Sequence, residues 1–139
     1  MKIIITDQHL KKLIESEIDS NRPTITFLIG PPAAGKSTWV KKNGKDSIII
    51  SRDDIVDRLR QGKGMSYADT FKNQKFQDTV NLELNNHIDN SLKSNKNIIV
   101  DMTNMSKRSR SFILSKLPEQ YIKNAVVFFI HSDELIRRL

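Results

Sequence analysis

The chain has 139 residues, 37% of them hydrophobic and 28% charged, with no cysteine and a formal charge of +7. This fits one domain with a real core, excludes disulfides and thiolate metal sites, and contains no apolar run near the roughly 18 residues of a membrane span. It accords with a reducing cytoplasm (of a host cell if the protein is viral), and the basic balance suits either an anionic partner or a solubilising lysine-rich surface.

Residues 2–6 (KIIIT) predict a short strand. A helix follows, capped by Thr6 or Asp7, with Leu10, Leu13, Ile14 and Ile18 as its apolar stripe. Asn21-Arg22-Pro23 stops that helix, so residues 1–22 read as an N-terminal extension to a core over 23–139. Thr24–Ile29 (TITFLI) is almost wholly apolar, the pattern of a strand buried on both faces of a parallel sheet. A glycine loop comes next, and a helix starts at Lys36. Ser47–Ile50 predicts a second buried strand, running into Ser51-Arg52-Asp53-Asp54 and a helix over Ile55–Arg60. Gln61–Ala68 reads as a loop. Phe76, Val80, Leu84, Ile88 and Leu92 recur every fourth residue and predict one long helix over about 70–93. Asn97–Val100 is a third strand ending at Asp101, a helix occupies about 106–116, and Ala125–Ile130 is a fourth strand. Ser132-Asp133-Glu134 caps a last helix, which stops at Leu139 after about two turns. That ending points to a longer polypeptide, with a further domain C-terminal to residue 139. The alternation of strands and helices predicts an α/β fold, a parallel sheet flanked by helices on both faces.

Gly30-Pro31-Pro32-Ala33-Ala34-Gly35-Lys36-Ser37 fits G-x-x-x-x-G-K-[ST] in full, between a predicted strand and a predicted helix. Gly30 and Gly35 let the backbone bend and bring its N–H groups to phosphates, Lys36 reaches the β- and γ-phosphates, and Ser37 offers a hydroxyl to Mg²⁺. Thr38 completes the nucleotide-binding stretch. ATP and Mg²⁺ are therefore the expected ligands. Asp101, at the end of an apolar strand, is a second Mg²⁺ group, acting through water. The residue after it is Met102, where motor ATPases place a water-activating glutamate, and no guanine-reading N-K-x-D element is present. Both absences favour phosphoryl transfer to an acceptor hydroxyl. Such transfer needs a carboxylate base, and Asp53 lies just beyond the second strand, with Arg52 beside it to hold a substrate phosphate. The plainer reading is that one of Asp53 and Asp54 only caps the helix, a task that suits Asp54.

Gly30–Ser37, Ser51-Arg52-Asp53-Asp54-Ile55 and Ile99-Val100-Asp101-Met102-Thr103-Asn104-Met105 together resemble the bacteriophage-type polynucleotide 5′-kinase family of P-loop kinases. The resemblance spans about residues 24–139 and implies ATP-dependent phosphorylation of 5′-hydroxyl ends of RNA or DNA, often in nucleic-acid repair. It implies that Lys36 and Ser37 hold ATP·Mg²⁺, that Asp53 is the general base, and that Asp101, Thr103 and Asn104 organise the site behind the metal, with Thr103 and Asn104 among the substrate-binding residues. Two departures stand out. Val56 occupies the place where the family often carries a phosphate-binding arginine, leaving Arg58 or Arg60 as substitutes. Arg138 matches the first of two lid arginines, and the rest of the lid and the last core strand are missing from the sequence. Ser106-Lys107-Arg108-Ser109-Arg110 reads either as a nucleic-acid phosphate contact, with Arg110 as the substrate-binding member, or as a solvated helix start. A small-molecule kinase and a nucleotide-binding regulatory module without catalysis of its own remain the alternatives.

Overall fold

The computed structural model describes residues 2–3, 7–8, 10 and 22–139. In chain order the elements are β1 (Lys2–Ile3), β2 (Thr24–Ile29), α1 (Lys36–Asn43), β3 (Ile48–Ile50), α2 (Arg52–Gly62), α3 (Tyr67–Lys72), α4 (Gln74–Lys93), β4 (Ile98–Val100), α5 (Lys107–Leu114), β5 (Ile122–Phe129) and α6 (Ser132–Arg138). The sheet order is β1-β5-β2-β4-β3. β2, β3, β4 and β5 run parallel, and β1 adds to β5 in the antiparallel sense. Most of the helical stripe expected before Pro23 lies outside the described residues, although Leu10 packs against the core beside Trp39.

β2 sits at the centre because both of its faces are apolar. On one face Ile25 and Phe27 join Ile98, Val100 and Ile50 under Ile88 and Leu92 of α4 and Ile113 of α5. On the other, Leu28 meets Ile99, Val126 and Phe128 under Ala34, Trp39 and Val40. A third cluster, Ile55, Val56, Phe76 and Val80, fastens α2 to α4. Each such fully buried side chain contributes about 1.5–3 kcal/mol. All four parallel strands therefore end at the same edge of the sheet, where the phosphate loop, Ser51-Arg52-Asp53 and Asp101 emerge together.

Three local expectations change. The single helix over 70–93 is two helices, because Asn73 leaves the helical conformation (φ −106°, ψ 98°) and its side chain accepts from the Phe76 N–H at 2.9 Å. The regular apolar stripe begins only at Phe76, inside α4, so it never required a continuous helix. The loop over 61–68 holds the start of α3, capped by Ser66 accepting from the Asp69 N–H at 3.2 Å. α2 begins at Arg52 rather than Ile55, because Ser51, the last residue before it, caps it through the Asp54 N–H at 3.3 Å. Among the described residues no helix is long and apolar enough to cross a membrane.

Candidate active site

A cavity of about 400 Å³ opens at the carboxyl ends of the strands. From the phosphate loop, Pro32, Ala33, Gly35, Lys36, Ser37 and Thr38 line it. Ala34 instead turns into the core, fully buried. The two left-handed positions of the loop are Gly35 (φ 99°) and Ala33 (φ 59°). Gly30 is needed for a different reason than bending: a Cβ there would lie 2.9 Å from Phe128 Cβ. The loop is thus seated against β5, and its first N–H donates to Thr103 O at 3.0 Å. α1 carries no acidic residue in its first turn, so its positive end faces the cavity uncompensated.

Lys36 is nearly buried, and its Nζ donates to Gly30 O (2.8 Å) and Pro31 O (2.6 Å), spanning the loop from within. Burial lowers its pKa, against the attraction of Asp101 and then Asp53. Asp101 is shifted the other way: burial raises its pKa, Lys36 opposes the shift, and the like charges of Asp54 and Asp53 add to it. Lys36 and the three aspartates therefore form one electrostatic cluster, in which desolvation outweighs the attraction of the single lysine. Ser37, Asp53, Asp54 and Asp101 all line the cavity beside Lys36 and Arg138, and they bring hydroxyl and carboxylate oxygens to it, the donors that suit Mg²⁺. The described residues hold no cluster of three or more histidine, cysteine or acidic residues spaced to bind a metal unaided. Arg138 also reaches the cavity, donating to Ala33 O at 3.3 Å while its Nε is held by Glu134 at 2.6 Å.

A second cavity, of about 230 Å³, adjoins the first. Asp53, Asp101, Met102 and Thr103 line both, so Asp53 stands on the wall between them. Arg52 lines only the second, its guanidinium held by Gln77 Oε1 (2.6 Å) and Asn81 Oδ1 (3.3 Å) of α4. Those two residues were missed in the sequence, where they are an i, i+4 polar pair beside the Phe76 and Val80 stripe. Asp54 faces away from this second cavity and lines a third one with Arg58, Glu83 and His87. Neither aspartate is the helix cap, since Ser51 does that work.

Four expected residues have partners within the protein. Asn104 is buried in the left-handed conformation (φ 50°), its Nδ2 directed at Leu28 O (2.9 Å), Val100 O (3.1 Å) and Met102 O (3.1 Å). Through these bonds it brackets the ends of β2 and β4, while it also lines the second cavity and its Oδ1 has no partner among the described residues. The Arg110 guanidinium is committed to Asn104 O (2.6 Å) and Met105 O (3.1 Å), holding the same loop. Arg58 pairs with Glu83, and Arg60 with Asp57 at 2.6 Å, so neither stands in for the arginine absent at the buried Val56. Arg52 is the arginine that lines the second cavity.

Comparison with known proteins agrees with this architecture. The model of the AAA_33 family, described as an AAA domain, matches residues 25–139. Structures of the Pnkp1/Rnl/Hen1 complex and of the Pnkp1/Rnl/Hen1 RNA repair complex are similar with TM-scores of 0.67 and 0.66, each at 25% identity over 88% of this chain. The chain spans only 40% and 38% of those chains. A candidate kinase from Chloroflexus aurantiacus shares the fold, with a TM-score of 0.64 and 18% identity over 86% of this chain and 66% of that one. No curated protein matches the chain.

Proposed function

Because the chain belongs to the AAA_33 family and has the fold of the P-loop kinases, we propose that it transfers the γ-phosphoryl group of ATP to the 5′-hydroxyl end of a polynucleotide, RNA or DNA. The observation that carries this reading is the position of Asp53 on the wall between the phosphate cavity and a cavity lined by Arg52. A carboxylate there meets a hydroxyl entering from one side and a γ-phosphate lying on the other. The RNA repair setting of one structural neighbour and the net charge of +7 support a nucleic-acid acceptor.

The acceptor hydroxyl enters beside Asp53, whose carboxylate orients it and takes its proton. Its oxygen bonds to the γ-phosphorus as the bond to the β,γ-bridging oxygen breaks, and ADP leaves. Lys36 turns from the loop carbonyls towards the β- and γ-phosphates, and the N-terminus of α1 adds its dipole. Ser37 and, through water, Asp101 would hold Mg²⁺, which neutralises charge on those phosphates. Arg138 stands at the mouth of the same cavity as a further counter-charge. Arg52, fixed by Gln77 and Asn81, binds an acceptor phosphate, and Thr103 offers its hydroxyl on the shared wall.

The test is transfer of labelled γ-phosphate from ATP to a 5′-hydroxyl oligonucleotide, to its 5′-phosphorylated counterpart and to a panel of sugars. Only the first is expected to accept label. Lys36→Ala should abolish transfer and weaken ATP·Mg²⁺ binding by roughly ten- to a hundredfold, the loss of charge-assisted hydrogen bonds. Labelling of a sugar but of no oligonucleotide would assign the site to a small-molecule kinase. Nucleotide binding without transfer to any acceptor would leave a regulatory module.

A further inference from the structure

We propose that the groove between α4 and α5 is a nucleobase subsite for the acceptor strand, an assignment that rests on the polynucleotide kinase reading above. The groove is a cavity of about 450 Å³, within the range of roughly 300–1,000 Å³ usual for small-ligand sites. Leu84 and Ile88 of α4, Met102 and Phe112 form its apolar walls, with Asn85 and Arg108 as polar groups around them. It adjoins the acceptor cavity, with Met102 and Ser109 lining both. A strand whose reactive hydroxyl lies at Asp53 has this groove as its neighbour across Met102.

The chemistry of the walls identifies that extension. Phe112 is 44% exposed although it is a large aromatic, and Lys116 Nζ, itself paired with Asp89 at 3.0 Å, lies 4.6 Å from its ring centroid. No carboxylate lines the groove, so an anionic strand meets no repulsion there. Arg108 and Asn85 make no hydrogen bond or ion pair among the described residues, unlike Arg58, Arg60 and Arg110, which are all engaged within the protein. An apolar slot with an aromatic wall, one amide and one free guanidinium suits a flat heteroaromatic ring carried on a phosphate backbone. The ring packs on Phe112 and Met102, the amide of Asn85 meets its polar edge, and Arg108 meets a phosphate. An apolar protein side chain would fill the slot but would account neither for the free guanidinium nor for the opening towards Asp53.

The experiment compares two labelled 5′-hydroxyl oligonucleotides, one intact and one abasic at its first two positions, binding to the wild type, Phe112→Ala and Phe112→Trp. Transfer of γ-phosphate is measured on the same samples. The wild type is expected to bind the intact strand roughly tenfold or more tightly than the abasic one, the increment of base stacking on an aromatic side chain. Phe112→Ala should lower the intact strand to the abasic level while leaving ATP affinity unchanged, and Phe112→Trp should keep the preference. Equal binding of both strands by the wild type, or a preference that survives in Phe112→Ala, overturns the subsite; if the 5′-hydroxyl still accepts phosphate, the kinase reading stands without it. A strand that is neither bound nor phosphorylated overturns both. If Phe112→Ala changes the sedimentation mass of the protein and not its strand affinity, the groove is a contact between two copies, and the nucleobase assignment fails.

Discussion

The phosphate side and the acceptor side of this site are built from different materials. The phosphate side is mostly backbone: a loop seated against Phe128, two left-handed positions, and a lysine folded onto Gly30 O and Pro31 O. The acceptor side is mostly side chain, with Arg52 held from α4, Asp53 on the shared wall, and Met102, Ser109 and Phe112 brought in from the end of β4 and from α5. A backbone cradle recognises what all nucleoside triphosphates share and tolerates little change in its own shape. A side-chain surface can be altered one residue at a time without disturbing the cradle, so under the proposed function selectivity for the acceptor would reside there.

The sharpest way to break this division is at Asp53. Asp53→Asn keeps the size of the side chain but cannot take a proton, and is expected to cut phosphoryl transfer by roughly two to four orders of magnitude. ATP affinity should barely move. Asp54→Asn, which lies off the acceptor cavity and caps no helix, should lose far less. Single-turnover transfer beside calorimetric ATP titration separates the two readouts. A fast Asp53→Asn with a dead Asp54→Asn would show that the wrong carboxylate has been named.

A change on the phosphate side should act through stability instead. In Gly30→Ala the added methyl would meet Phe128 Cβ at 2.9 Å and Phe128 O at 3.1 Å, so the loop or β5 must shift. Overpacking of this kind costs about 1–3 kcal/mol. Denaturant unfolding should show that loss together with weaker ATP binding. Full stability in Gly30→Ala would mean that the loop is not pressed against β5.

The smallest expected effect is in pH. Because burial raises the pKa of Asp101, there is a window above the ordinary aspartate range in which the native state holds a proton that the unfolded chain has released. The stability of the ligand-free protein therefore falls as pH rises through that window, and Asp101→Asn should remove the slope. Affinity for ATP·Mg²⁺ runs the other way and rises as Asp101 ionises. Thermal melts of both proteins from about pH 4 to about pH 7 check the first trend, and nucleotide titrations of the wild type check the second. Identical pH slopes in the two proteins would show that Asp101 is not the buried acid described here.

What the sequence determined alone is whatever lies in one short window. The G-x-x-x-x-G-K-S string and the apolar runs of β2, β3 and β4 are contiguous, and their chemistry depends on spacing along the chain. They were sufficient for the parallel sheet and the phosphate cradle. Asn73 is equally local, a helix-capping residue that stands three positions before the apolar stripe begins at Phe76. The remainder depended on residues that meet only after packing. Asn104 and Leu28 are 76 positions apart, and only their contact shows that Asn104 braces the ends of two strands. Arg52 has its working direction from Gln77 and Asn81, and Gly30 owes its necessity to Phe128 as much as to the turn. Arg110 looks in the sequence like any other member of a basic cluster until its guanidinium is seen holding Asn104 O. A motif encodes the backbone geometry of its own few residues, whereas the direction and availability of a side chain depend on neighbours that only the packed sheet and helices supply.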